Sequence, residues 1–405
     1  MRRVDFGESC DVTVVNTCTV TAESDRKSRQ MIRRAVASAR HVIVTGCYAE
    51  TAREKLRDIY GVSYVTGNSK KSDIAGVALR LADDIDVPSP ELDINSAPFD
   101  TVEMSVPQRT RSYIKIEDGC DSHCSYCIIP KARGRVRSKP IESVEREAAA
   151  LYEAGCREVI LTGIETAAYG RDMGPSPYYG YALTEAIRRV SAVGYSRIGL
   201  GSLDPNVLNE GFVEAISAMP ALLLHFHLSI QSGSSSVLAR MRRKYNADQL
   251  RAGIARLRRA IPNVTLSADV IVGFPGESEE EFEETLRFAD ETKFLHLHIF
   301  PYSPRHGTEA ASMSGQLTGD IKSARGARLA ESQAKTKAAL MDAYVAAHTT
   351  SPVEVLVEER KGEHLFGHSE HFAEVFLGGD DSLIERTVRV VLDSTDGDVC
   401  FGHVV

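Results

Sequence analysis

From about residue 113 onward the sequence alternates strand-like and helix-like runs, and that alternation restricts the fold more than any other feature. Strand-like runs at 113–118, 158–164, 197–203, 225–230, 265–273 and 294–302 are separated by helix-like runs near 142–154, 181–192, 207–218, 246–260 and 278–291. Strands joined through helices pair in parallel and bury both faces. Six such repeats predict a partial (β/α) barrel, with ligand sites at the carboxyl ends of its strands. A smaller α/β pattern precedes it. Residues 11–16, a basic amphipathic helix from about Ala22 to Ser38, residues 41–45, a shorter helix and residues 62–66 predict a doubly wound parallel sheet. After the repeats, a long helix from about Asp320 to Ala347 leads to short strand-like runs at 353–358, 372–376, 387–391 and 399–405, which predict a small β-barrel.

Cys120-Asp121-Ser122-His123-Cys124-Ser125-Tyr126-Cys127 follows the first strand of the six, at the predicted mouth of the barrel. Thiolates are soft ligands for iron-sulfur clusters or zinc, and one short loop can present three of them to three irons of a cubane. The fourth iron is then open to a small chelating molecule. A structural zinc site built with His123 is the competing reading, although zinc sites commonly use two separated ligand pairs. Eight cysteines in 405 residues, three of them bunched, point to metal binding rather than a disulfide framework.

Composition narrows the class. Charged residues make up 26% and hydrophobic residues 43%, as in ordinary globular proteins. No apolar run reaches the roughly 20 residues of a membrane span, and no apolar segment follows the opening basic residues as a signal peptide requires. The expectation is a cytoplasmic protein with no membrane partner. A net charge of −8 confines any nucleic-acid contact to local basic clusters. These are Arg26, Lys27, Arg29, Arg33 and Arg34; Lys131, Arg133, Arg135, Arg137 and Lys139; and Arg240, Arg242, Arg243 and Lys244.

The cysteine spacing resembles that of the radical S-adenosylmethionine (SAM) enzymes. The resemblance implies that Cys120, Cys124 and Cys127 hold a 4Fe-4S cluster whose open iron binds SAM, with Tyr126 beside the adenine. Further segments match: Thr162-Gly163-Ile164-Glu165 after the second strand, Ser202 after the third, Gln231 after the fourth, and Asp269 to Gly273 on the fifth. By resemblance these contribute Thr162, Gly163, Glu165, Ser202, Gln231, Asp269 and Gly273 to SAM binding. The acids Glu277, Glu279, Glu280 and Glu281 are explained more simply as the first turn of a helix.

Asn16-Thr17-Cys18-Thr19-Val20-Thr21, Asp25-Arg26-Lys27-Ser28-Arg29 and Thr45-Gly46-Cys47-Tyr48-Ala49 resemble the amino-terminal domain of the methylthiotransferases, a radical SAM family. Three cysteines of that domain hold a second, auxiliary 4Fe-4S cluster. Cys18 and Cys47 match two of them. The third belongs to a segment without a counterpart here, which implies a start further upstream or an incompletely held cluster. Cys10 lies eight residues before Cys18, roughly 26 Å away along a strand, and is expected to be structural. Phe300-Pro301-Tyr302-Ser303-Pro304-Arg305-His306-Gly307-Thr308 resembles the family's segment beside that cluster, and the carboxyl-terminal strands are similar to the RNA-binding TRAM domain.

The organisation implied is α/β: residues 1–85 a truncated doubly wound domain, 86–108 a linker marked by Pro88, Pro90, Pro98 and Pro107, 109–347 a partial (β/α)6 radical SAM barrel, and 348–405 a TRAM-like barrel. Ile128 to Ser138 resembles the branch acting on N6-threonylcarbamoyladenosine in tRNA. Branches acting on isopentenyladenosine or a ribosomal protein are the alternatives, and a non-catalytic RNA-binding protein with a structural metal is the alternative of another class. The resemblance implies methylthio insertion at C2, with tRNA (its anticodon loop) and an electron-donor protein as partners and no DNA. Arg133, Arg135 and Arg137 alternate, so that if extended they share a face and clamp phosphates, joined by Arg242 and Arg243.

Overall fold

A computed structural model describes residues 2–91, 93–104, 106–107 and 110–405. The chain divides into two compact units. One gathers the stretch to Val102, Asp118–Arg137 and Ser303–Met313. The other gathers Glu103–Glu117, Ser138–Tyr302 and Ser314–Val405.

The first unit is built on a parallel three-stranded sheet, in order β1 (Cys10–Thr17), β2 (Ala39–Gly46) and β3 (Val62–Val65). Helix Ala22–Ser38 starts where expected because Thr21 caps it, accepting from the Ser24 amide, with Glu23 and Asp25 in its first turn. Its buried stripe is Ser28, Ile32 and Ala35, at helical spacing. The connection after β2 is two short helices, Cys47–Thr51 and Arg53–Arg57, rather than one. Residues 86–102 carry no helix or strand among those described, as a linker should. Yet Val87 and Ile94 are buried and Asp100 accepts from the Lys71 and Ser72 amides, so this stretch packs onto the unit. Leu92, Ser105 and Gln108 of the expected linker, and Arg109 after it, lie outside the described residues.

The second unit holds the six barrel strands: β4 (Arg111–Lys115), β5 (Glu158–Thr162), β6 (Arg197–Leu200), β7 (His225–Gln231), β8 (Thr265–Val272) and β9 (His296–Pro301). They form two parallel triplets, β4-β5-β6 and β7-β8-β9, joined by the single bridges Ile198 to Leu222 and Leu203 to Leu228. Outer helices such as Ala247–Ala260 and Glu279–Thr292, each begun by a capping box, bury Leu250, Ile254 and Leu257, or Phe282 and Phe288, against the strands. No helix among the described residues is long and apolar enough to cross a membrane.

After helix Gly319–Ala347, β10 (Val353–Lys361), β11 (His364–Ser369), β12 (Glu374–Leu377), β13 (Thr387–Thr395) and β14 (Cys400–Val404) close a barrel in the order β10-β11-β12-β14-β13. Strand β11 was absent from the sequence expectation, and the run placed at 372–376 begins at Glu374. The small barrel seals the amino ends of the larger one. Arg111, Glu158 and Arg197 stand in register at the starts of β4, β5 and β6. Glu158 bridges the two guanidiniums at 2.7 and 2.8 Å; Arg111 continues to Glu358 at 2.5 Å, and Arg197 donates to the Glu354 and His368 carbonyls.

Candidate active site

In the first unit, strand register brings two distant cysteines side by side. Thr17 on β1 pairs with Gly46 on β2, so Cys18 and Cys47 each leave the carboxyl end of adjacent strands, about 5 Å apart in the pairing direction. Gly46 has φ +98°, and a Cβ there would stand 2.2 Å from the Thr17 carbonyl oxygen, so this junction requires glycine. Cys18 is exposed and held at both backbone ends by Ser28 Oγ, which accepts from its amide and donates to its carbonyl. Cys47 is buried; its Sγ receives Arg133 Nε at 3.1 Å and Asn68 Nδ2 at 3.7 Å. A guanidinium and an amide donor thus face one buried sulfur, a polar setting unlike that of an inert core thiol. Cys10 begins β1, at its far end, with its Sγ 3.1 Å from Thr13 Oγ1, and supplies no third ligand.

The loop carrying Cys120, Cys124 and Cys127 belongs to the same unit. Gly119 enters it at φ +89°, where a Cβ would meet the Arg135 carbonyl oxygen at 1.9 Å. Cys124 is buried and the other two are half-buried, as is Tyr126. Backbone amides point at two sulfurs, Ser122 N–H to Cys120 Sγ at 3.4 Å and Ile129 N–H to Cys127 Sγ at 3.5 Å. Such bonds stabilise thiolates in iron-sulfur sites, so this donor set fits a cluster. No three His, Cys, Asp or Glu side chains among the described residues are arranged around one metal ion. A cubane instead spreads its ligands over separate irons.

The basic run after the loop is not extended. Helix Ile129–Arg133 ends at Gly134, and Arg133 and Arg137 turn inward to Asp118, which is 2% exposed. The shared face expected of Arg133, Arg135 and Arg137 therefore does not form; Arg135 alone of the three is exposed. In the second unit Arg243 pairs with Asp204 at 2.8 Å, while Arg242 is exposed. Reading the sequence for charge missed these counter-ion roles, and missed Arg305, which is buried and binds Asp25 at 2.8 Å and Thr19 Oγ1 at 2.6 Å next to Cys18.

Of the residues expected around SAM, the second unit brings Thr162, Ser202 and Asp269 onto one cavity of about 490 Å³. Gln231 (φ +67°) and Gly273 (φ +72°) end β7 and β8 and are not among its lining residues. Gly163 lies against Glu117, whose carboxylate accepts from the Glu165 amide at 2.8 Å and so fixes the turn after β5. The Glu165 carboxyl is pushed up to about 8, first by burial and then by the charge of Asp204, with Arg243 opposing. The same cavity is lined by Tyr113, Ile160, His225, His227, His298 and Phe372, none of which a contiguous motif marks.

Two family models match the chain: the Radical SAM superfamily over residues 114–289 and the uncharacterized protein family UPF0004 over residues 1–67. The threonylcarbamoyladenosine tRNA methylthiotransferase MtaB of Bacillus subtilis (strain 168) is 38% identical over 400 residues, 96% of this chain and 86% of that protein. The protein of the same name from Chlamydia pneumoniae is 33% identical over 98% of this chain and 89% of its own length. The tRNA-2-methylthio-N(6)-dimethylallyladenosine synthase of Desulfitobacterium hafniense (strain Y51) is 30% identical over 98% and 89%. Among solved structures, the radical S-adenosylmethionine methyltransferase TsrM from Kitasatospora setae, with cobalamin and a [4Fe-4S] cluster bound, superposes with a TM-score of 0.56. That match is 16% identical and covers 75% of this chain and 66% of the other, which shows a shared fold.

Proposed function

This chain belongs to the radical SAM methylthiotransferase family, and from that premise we propose that it places a methylthio group on C2 of N6-threonylcarbamoyladenosine beside the tRNA anticodon. The observation that carries the reading is the Cys120, Cys124 and Cys127 loop with amides directed at its sulfurs. Similarity over almost the whole chain to enzymes named for that nucleoside supports the choice of substrate.

Cys120, Cys124 and Cys127 would hold the SAM-binding 4Fe-4S cluster, and Cys18 and Cys47 two corners of a second. When bound, the first cluster supplies the electron that cleaves SAM to a radical able to remove a hydrogen from C2, a position with no acidic proton for acid-base chemistry to exploit. The chain's own residues bind, orient and exclude water. Tyr126 would lie beside the adenine, with Thr162, Gly163, Glu165, Ser202, Gln231, Asp269 and Gly273 around the rest of SAM. Burial and the charge of Asp204 disfavour the Glu165 carboxylate, so backbone carbonyls of its turn would meet the SAM ammonium alongside it. Arg133 would donate to the Cys47 sulfur at that corner. For RNA phosphates we retain Arg135 and Arg242, whose side chains are exposed, whereas Arg133, Arg137 and Arg243 are turned onto carboxylates. A TRAM-like role for the small barrel, a cytoplasmic location, an electron-donor protein and no part for DNA complete the reading.

Nucleoside analysis of tRNA tests it. Cells lacking the protein should accumulate N6-threonylcarbamoyladenosine without its methylthio group, and the chain with Cys120, Cys124 and Cys127 all replaced by Ala should neither restore the product nor cleave SAM. SAM cleavage surviving that triple change would overturn the assignment. Accumulation of unmodified isopentenyladenosine instead would move the chain to the sister branch.

A further inference from the structure

The cavity of the second unit holds more imidazole than the reaction above uses. Strands β4 and β9 are the free edges of the six-stranded array, so the barrel is open between them. Alternate positions of β9 turn His296, His298 and Phe300 toward this opening, and all three are exposed; β4 offers Tyr113, which is 50% exposed. The floor is Phe372, stacked between His225 at 4.9 Å and His368 at 4.7 Å. Phe372 has φ +64°, a strained conformation for an aromatic residue, and its surroundings hold it there.

The histidines differ in what they already bind. Both ring nitrogens of His225 meet hydroxyls, those of Thr265 and Ser267; His227 meets Ser267 and Asp269. His296 and His298 have no hydrogen-bond partner among the described residues; their rings meet each other at 4.5 Å, and His298 meets His227 at 5.2 Å. Burial and neighbouring imidazoles lower both below the usual histidine range, so each presents one donor and one acceptor. Two such groups beside exposed Tyr113 and Phe300 form a pocket for a flat ring bearing a polar tail.

Resting on the function proposed above, we infer that His298, with His296, hydrogen-bonds the N6 substituent of the target adenosine and selects threonylcarbamoyl over isopentenyl, the base lying between Tyr113 and Phe300. The threonylcarbamoyl tail offers urea, hydroxyl and carboxylate groups to these nitrogens. An isopentenyl tail would strip them of water and return no hydrogen bond. Sites built to bond a polar group reject the analogue lacking it far more strongly than apolar pockets reject a polar one.

The test is the affinity of the reconstituted protein for three anticodon stem-loops, bearing threonylcarbamoyladenosine, isopentenyladenosine or plain adenosine, measured by fluorescence anisotropy. The intact protein should prefer the first by about tenfold or more, the size of one or two well-placed hydrogen bonds. His298→Leu should bring the first down toward the other two, and His298→Gln, which keeps a donor, should recover part of the preference. A His296→Leu/His298→Leu protein that retains the full preference would overturn the inference and leave the functional reading standing, as would His298→Leu weakening all three RNAs alike. Preference of the intact protein for the isopentenyl stem-loop would instead overturn the functional reading itself.

Discussion

The sulfur-bearing strand ends of the first unit and the imidazole chamber of the second solve opposite problems. Around Cys18 and Cys47 the nearby cations are guanidiniums, Arg133 on Cys47 and Arg305 on Asp25 and Thr19, whose charge is independent of pH. The chamber is lined by His225, His227 and His298, with His296 in the adjoining cavity, and His225, His296 and His298 are held toward the neutral form. Sulfur ligands are matched by cations whose charge does not change with pH. A polar nucleoside tail with donors and acceptors is matched by groups that are both. The largest expected effect breaks the first half of this contrast. Arg133→Met should lower cluster content from about eight irons per chain to about four, abolish methylthiolation and leave SAM cleavage in place. Unchanged iron and sulfide after anaerobic reconstitution would show that Cys47 does not depend on its guanidinium.

The contrast also tells why one region was legible in the sequence and the other was not. The thiol sites are written in contiguous motifs, Cys120 to Cys127 and Thr45-Gly46-Cys47, and every helix-like run of the barrel reappears within about three residues. The chamber is assembled from β4, β7, β9 and the turn at Phe372, segments far apart in the chain, and no local pattern announces it. Strand β11, His364-Leu-Phe-Gly-His-Ser369, lacks β-branched residues and reads as a loop; it is a strand because β10 and β12 pair with it on both sides. Arg133 and Arg137 read as phosphate clamps because nothing in the sequence says that the helix stops at Gly134 and turns them onto Asp118.

Below its imidazoles the chamber still rests on fixed charges, which sharpens the comparison. Arg197 and Glu158 are at most 1% exposed. Arg197→Met would leave Glu158 with Arg111 as its remaining partner and strip three carbonyls of the small barrel, those of Glu354, His368 and Ser369, of a donor. Breaking a buried pair of this kind costs about 3 kcal/mol. Urea denaturation should show a loss of that order with the slope unchanged. An unchanged midpoint would mean that the row at the strand starts is ornamental to stability.

The smallest effect concerns the titratable side of the contrast. His225 is pushed down to about 3, first by burial and then by the imidazoles of His227, His368, His296 and His371, and His371 is pushed down to about 4 by burial and by His348. In the unfolded chain both titrate near 6.5. Between these limits the unfolded state therefore binds more protons than the folded one, so stability rises with pH across this window and is lost as pH falls below about 6.5. At pH 5 the loss from His225 should be about 2 kcal/mol, because that pH lies about 1.5 units below its unfolded value and still above its folded one. His225→Gln keeps hydrogen bonding to the Thr265 and Ser267 hydroxyls possible and removes the proton-binding site. The fall in thermal midpoint between pH 7 and pH 5 should then become shallower than in the unaltered chain, whereas Arg197→Met should lower the midpoint by a similar amount at both. Parallel curves for His225→Gln and the unaltered chain would mean that the buried imidazole column does not set the acid limit of this fold.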